Sequence, residues 1–111
     1  MLVKHTYSLA GVWKPTDTEK EKKISGSNEV TCLKLSSGGG AATVAIYDAT
    51  VAAEATPSNL KWWLDCSTTD NDINVFASPL SFTKGVYAVC EQGWDFNPVV
   101  CISVIGRANP A

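Results

Sequence analysis

From Glu29 onward the chain alternates short apolar stretches with clusters of turn-forming residues. Glu29–Leu35, Ala41–Tyr47, Leu60–Cys66, Ile73–Ala77, Leu80–Thr83, Val86–Cys90 and Val99–Ile105 are rich in β-branched, aromatic and aliphatic side chains. Gly38-Gly39-Gly40, Pro57-Ser58-Asn59, Thr69-Asp70-Asn71, Ser78-Pro79, Lys84-Gly85 and Phe96-Asn97-Pro98 punctuate them. The turn residues act by known steric means: Gly reaches positive φ, Pro presets φ, and Asn and Asp bond their own backbone. Short strands at this spacing predict an all-β chain, a compact antiparallel β-sandwich of jelly-roll-like form.

Within the segments the period is two, as for half-buried strands. Ala42, Val44 and Ile46 alternate against Thr43, Ala45 and Tyr47, and Leu60, Trp62, Leu64 and Cys66 oppose Lys61, Trp63 and Asp65. Val30 and Cys32 are expected on one face, with Thr31, Leu33 and Leu35 on the other. Val99–Ile105 is apolar except at Ser103. It is therefore expected at the centre of a sheet and covered on both sides, one cover coming from a second subunit. Ala49–Ala55 is shorter than the ~12 residues that stabilise an isolated helix, so a loop with at most one turn is expected.

The N-terminal region differs. Leu2–Trp13 carries β-branched and aromatic residues around Gly11, enough for one extended strand. Lys14–Lys23 holds seven of the chain's 20 charged residues and no apolar side chain except Pro15. A run without an apolar face reads as an exposed loop. This divides the chain into an N-terminal extended arm with a charged loop, residues 1–25, and a sandwich domain, residues 26–111. The arm has two readings: a strand that reaches a neighbour's sheet edge, or the first strand of its own sandwich.

Composition narrows the function. At 111 residues the chain suits one domain with one modest core. Only 18% of residues are charged against 45% hydrophobic, which leaves fewer groups to cover the surface and favours partner contacts. A net charge of −2 supplies no positive field for nucleic acid. No apolar run approaches the ~20 residues that span a bilayer, so no membrane partner is expected. Lys4 and His5 interrupt the first apolar residues, so no classical signal peptide is read and folding in a reducing cytoplasm is expected.

Cys32, Cys66, Cys90 and Cys101 form no C-x-x-C pair, and His5 is the only histidine. Zinc sites use close-spaced ligand pairs; no metal and no cofactor are expected. The cysteines read either as small buried hydrophobes or, for Cys90 and Cys101, as partners across a hairpin. The acids sit in turns (Asp48, Asp70, Asp72, Asp95) or in the charged loop, whereas acid–base catalysis needs titratable groups paired in a pocket. No nucleophile elbow, P-loop or dinucleotide fingerprint occurs. Thr68–Asp72 lacks the glycine and distal glutamate of a calcium loop and reads as a turn. The glycine run reads as a flexible turn. A non-enzymatic role without catalytic residues is expected.

The tryptophans carry the remaining option. Trp62 and Trp63 are adjacent in a strand, so their rings must take opposite faces. Trp94 lies in the aromatic and polar stretch Gln92-Gly93-Trp94-Asp95-Phe96-Asn97. Such rings serve as core anchors, as subunit contacts, or as a carbohydrate platform with Asp and Asn binding hydroxyls. Trp63, Trp94 and Phe96, with Leu2, Val3, Tyr7 and Trp13 of the arm, are the candidate interface residues.

Four motifs carry a resemblance. Gly38-Gly39-Gly40-Ala41-Ala42-Thr43-Val44-Ala45-Ile46-Tyr47-Asp48-Ala49 and Leu60-Lys61-Trp62-Trp63-Leu64 precede Pro79-Leu80-Ser81-Phe82-Thr83-Lys84-Gly85-Val86-Tyr87-Ala88 and a closing Val99-Val100-Cys101-Ile102-Ser103-Val104. This series resembles small virion proteins of tailed bacteriophages, in which A-x-V-x-L/I-Y-D-A is followed by F-x-x-G-V/L-Y and a final alternating strand. The resemblance spans Gly38 to Ile105 and carries no catalytic residue. It implies a sandwich used as a capsid cement or decoration protein, or as a small neck, tail or baseplate component. It further implies the major capsid protein or other virion proteins as partners, a homo-oligomer, most simply a trimer, and a place on the capsid surface after folding in the host cytoplasm. A carbohydrate-binding surface module is the alternative from another class.

Overall fold

The structure is a computed structural model and describes residues 5–16, 19–25 and 28–107. Among these, eight strands follow in order: β1 (His5–Trp13), β2 (Glu21–Ser25), β3 (Asn28–Ser36), β4 (Ala42–Asp48), β5 (Leu60–Cys66), β6 (Asp72–Phe82), β7 (Gly85–Gln92) and β8 (Val99–Arg107). Single 3₁₀ turns occupy Ala52–Glu54, Pro57–Asn59 and Trp94–Phe96. Sheet A has the order β1-β8-β3-β6 and sheet B the order β2-β7-β4-β5. All neighbours run antiparallel. The ladders nest, β4 with β5, β3 with β6, β2 with β7 and β1 with β8. One long hairpin has thus been wrapped so that its arms alternate between two sheets, which is the jelly-roll arrangement.

The alternation read from the sequence explains which faces meet. Sheet A sends Trp13, Val30, Leu33, Leu35, Phe82, Val100 and Ile102 inward; sheet B answers with Ala42, Val44, Ile46, Leu64, Cys66, Val86, Ala88 and Cys90. Burying a Leu, Ile, Val or Phe side chain contributes about 1.5–3 kcal/mol each, so this layer is the main stabilising term. At one side Trp62 of β5 and Phe76 of β6 meet edge to face, centroids 4.8 Å apart at 83°. This contact joins the outermost strand of each sheet and closes that flank of the sandwich, in the geometry that aromatic quadrupoles favour.

Two strands depart from simple alternation. Val30 lies in the core with Leu33 and Leu35, not with Cys32. The register of β3 slips between Val30 and Cys32 against both β6 and β8, and Thr31 spans the slip by donating its hydroxyl to the Ser103 carbonyl at 3.3 Å. A bulge inserts one residue and so reverses the phase of everything before it. The segments Ile73–Ala77 and Leu80–Thr83 are parts of one strand, β6, whose ladder is irregular around Ser78-Pro79. Proline donates no ladder hydrogen bond and is tolerated there because β6 is an edge strand.

The two strands described within residues 1–25 are part of the sandwich; residues 1–4 lie outside the described residues. β1 pairs with β8 from His5 opposite Arg107 to Trp13 opposite Val100. Of the two readings of the arm, the described part is the first strand, and Trp13 is a core residue with 5% exposure. The charged run contains β2, which pairs with β7 from Glu21 opposite Val89 to Ser25 opposite Gly85. β2 escapes a hydrophobic reading because it is an edge strand: only Ile24 packs on the core, and charged side chains are what natural edges use to discourage further pairing. β8 is central between β1 and β3, as its composition implied. Its inward face is buried at Val100 and Ile102, while Val99, Cys101 and Ser103 are half-buried on the other side.

Trp13 fixes the role of the first strand. Trp13→Ala is expected to cost about 3–5 kcal/mol, the range for large aromatic truncations in a core. Deletion of residues 1–13 should leave no cooperative thermal transition by circular dichroism. A truncated chain that melts near the parent temperature would show that β1 is dispensable to the fold.

Candidate functional site

The two strongest motifs of the sequence meet at one tie. Asp48, at the end of β4, accepts hydrogen bonds from the backbone N–H groups of Thr83 (3.2 Å), Lys84 (2.9 Å) and Gly85 (3.3 Å) and from the Thr83 hydroxyl (3.0 Å). Ala49 N–H donates in turn to the Gly85 carbonyl at 3.1 Å. Desolvation pushes the Asp48 carboxyl upward, but the bonds from Lys84, Thr83 and Gly85 outweigh it and hold it below its ordinary range. Beside it, the backbone N–H and hydroxyl of Thr50, then Lys84, lower Glu54 to about 2. Lys84 Nζ lies 3.3 Å from the Glu54 carboxylate. These acids hold the β6–β7 turn against the loop after β4, which is a structural task.

The glycine run is a seat, not a flexible turn. A side chain at Gly38 would strike the backbone of Phe96 and Asn97, and one at Gly40 would strike the Phe96 ring. Gly39 has φ +118°, a conformation side chains disfavour. The 93–97 loop, with Gly93 at φ 90° and Asn97 at φ 54°, therefore packs directly on the β3–β4 connection. Trp94 in this loop is half-buried against the core, with Lys20 Nζ 4.0 Å from its ring centroid.

Two sheet faces point away from the core, and their chemistry differs. On sheet A, Val75 lies opposite Cys32 and Ile73 opposite Lys34, while Cys32 lies opposite Ser103 and Lys34 opposite Cys101. Val75 is 77% and Ile73 58% exposed, aliphatic side chains on an open face. On sheet B, Trp63 lies opposite Ala45, Ala45 opposite Val89, and Tyr47 opposite Tyr87. Thr43 donates to Asp65 Oδ1 at 2.8 Å and receives Gln92 Nε2 at 3.5 Å. Tyr87 donates to Glu21 Oε2 at 2.5 Å. Burial, then the hydrogen bond and the charge of Glu21, push the Tyr87 phenol up to about 12. Next to it a groove of about 360 Å³ is lined by Glu21, Lys23, Thr50, Val51 and Ala52.

The sequence-predicted interface residues do not form one site. Leu2 and Val3 lie outside the described residues, and Tyr7 sits in β1 opposite Ile105. Trp13 faces the core and is closed to a partner in this fold. Trp94 packs on the core beneath Lys20, and Phe96 packs on Gly40 while remaining 44% exposed. Trp63 alone of the tryptophans projects from a sheet face, 45% exposed; Trp63 and Trp94 are not brought together as one platform. Tyr47, Tyr87, Asp65 and Gln92 share its face; Tyr47 and Asp65 were legible as the outward half of their strands' alternation, whereas Gln92 has the parity of inward Cys90 and reaches this face through the register shift beside Thr43.

No family model matches the chain, and searches of curated proteins and of solved structures returned no match. Among the described residues no group of three His, Cys, Asp or Glu stands close enough to hold a metal, and no helix is long and apolar enough to cross a membrane. The carboxylates of Asp48, Asp65, Asp70 and Asp72 each accept from backbone N–H groups or neighbouring hydroxyls and amides.

The cysteines are free. Cys90 points inward from sheet B, 2% exposed, while Cys101 lies on the outer face of sheet A. They are not hairpin partners, because the chain crosses from one sheet to the other between them. Burial pushes the Cys90 thiol up to about 11, so it stays protonated and unreactive at neutral pH. In folded protein kept monomeric by dilution, maleimide should label Cys32 and Cys101, with Cys66 and Cys90 labelled only after unfolding. Intact mass after timed quenching checks the order.

The Asp48 and Glu54 carboxyls have folded values below their unfolded ones. Their contribution is present above about pH 4.5 and lost as pH falls toward about 2. Asp48→Asn with Glu54→Gln should therefore be destabilised at neutral pH and show a flatter loss of stability across that interval. Urea melts at both ends of it read the difference.

Proposed function

We propose that this chain is a non-enzymatic structural protein of a tailed-phage virion, a capsid cement or decoration protein that bridges capsomers on the shell. The observation that carries this reading is the open aliphatic face of sheet A, with Val75 77% and Ile73 58% exposed beside half-buried Cys32 and Cys101. Two highly exposed aliphatic side chains on one sheet face, with Lys34 as the charged residue between Ile73 and Cys101, favour a protein contact. The motif resemblance supports the virion context. The Asp48 tie gives that resemblance a physical meaning, since the Y-D-A motif and the F-x-x-G-V/L-Y motif are held together by its hydrogen bonds.

The chain assembles with itself through the same face, in closed rotational symmetry and as a trimer, which covers surface without propagating into filaments. The test is the protein's amount and position in purified particles of the phage that encodes it. Multiplicity matching the shell lattice supports cement; multiplicity of a single vertex moves the protein to the neck, tail or baseplate; absence from the particle overturns the reading. Independently, sedimentation of the isolated chain at micromolar concentration should give a trimer. Val75→Lys should give a monomer whose melting differs little, because exposed substitutions shift stability by about 0.5 kcal/mol or less. A parent chain that is monomeric refutes self-assembly through sheet A.

A further inference from the structure

We propose that the outer face of sheet B binds neutral glycan, with Trp63 as the stacking platform and Asp65 and Gln92 as the hydroxyl-binding groups. This goes beyond the assembly role and uses the opposite side of the sandwich.

The first support is the setting of Trp63. Its direct cross-strand neighbour is Ala45, which points away from the core yet has no exposed surface. A methyl between Trp63 and Val89 is covered only when the larger side chains close over it. Trp63 does so while 45% of its surface remains exposed. Nearly half of the indole surface is therefore open on this face. A pyranose offers an apolar C–H face, and the negative face of an indole attracts the partially positive hydrogens there.

The second support is what flanks the ring. One row along the strands, Asp65, Thr43 and Gln92 form a hydrogen-bonded string across β5, β4 and β7. The string spends Asp65 Oδ1 and the Gln92 amide N–H on Thr43. It leaves Asp65 Oδ2 and Gln92 Oε1 to accept from sugar hydroxyls, in orientations the string fixes. One row the other way lie Tyr47 and Tyr87, the latter beside the groove of about 360 Å³. By strand spacing and rise, Trp63 and Tyr87 are about 12 Å apart on this face, room for more than one sugar ring.

The third support is charge. Glu21, Asp65 and Glu91 stand against Lys22, Lys23 and Lys61 on these strands, so the charges balance and Trp63, Asp65 and Gln92 carry no excess of cations to recognise phosphate, sulfate or uronate groups. An aromatic platform with mixed polar partners and little net charge fits a neutral polysaccharide. It fits a protein partner less well than the aliphatic face of sheet A does, since the string would have to be desolvated.

The experiment is affinity electrophoresis of the full chain in native gels cast with a β-glucan, a xylan, a mannan or a galactan. A polygalacturonate gel serves as the anionic control. The expected result is retardation in at least one neutral gel, abolished by Trp63→Ala and retained at least in part by Trp63→Tyr, with both variants melting cooperatively. Retardation in none of the neutral gels, retardation only in the anionic gel, or retardation undiminished by Trp63→Ala overturns the proposal. So does a loss of oligomer order in Trp63→Ala, which would make the ring a subunit contact. Val75→Lys should bind glycan as the parent does, so failure of the sheet A reading and failure of this one are separable.

Discussion

Pairing in this fold is nested, and that constraint governs everything built on it. β4 and β5 meet across a short connection, but β3 must find β6, β2 must find β7, and β1 must find β8, whose first pair joins His5 to Arg107. Each outer ladder closes a longer loop than the one inside it, at an entropic cost that grows slowly with length. The alternation of the two arms between sheets lets each new ladder bury side chains against the opposite layer. The hydrogen bonds set direction and register, and the shared core supplies the driving force. A jelly roll therefore has little tolerance for a missing outer strand: removing β1 bares β8 and takes Trp13 from the core.

Two local devices hold the wrapping in place at its ends. The Asp48 carboxylate gathers three N–H groups and a hydroxyl from the β6–β7 turn, converting groups that would otherwise face water into a fixed corner. The Gly38–Gly40 seat lets the loop before β8 lie against the connection before β4 with no intervening side chain. Both devices act between segments far apart in sequence, one by charge-assisted hydrogen bonding and the other by steric vacancy. Asp48 and the Gly38–Gly40 run are thereby engaged in architecture.

The molecule has two outward sheet faces of unlike character. Sheet A turns out aliphatic side chains with one lysine among them, suited to burial against a protein. Sheet B turns out an indole, two phenols and a row of polar groups bonded to each other. A jelly roll by itself hosts many functions; the proposed virion role and the proposed glycan-facing side draw on these two faces and on the motifs, and the faces point in opposite directions. A component that sits on a particle by one face and meets its surroundings by the other is a coherent use of that division.

The sequence by itself determined the class of fold and most inward positions, because period-two alternation and turn chemistry are local properties of the chain. Ala42, Val44 and Ile46, Leu64 and Cys66, Val86, Ala88 and Cys90, and Val100 and Ile102 face inward at a spacing of two. Tertiary structure alone decided the phase of β3, since a bulge at Thr31 is invisible to alternation and moves Val30 beside Leu33. It decided that Glu21–Ser25 is a strand, since an edge strand may be charged throughout if its neighbour supplies the ladder. It also decided the meaning of the tryptophans. Trp13, Trp62, Trp63 and Trp94 are equivalent as letters, yet three pack on the core and only Trp63 lies open on a face, because exposure depends on what the far parts of the chain bring over each ring.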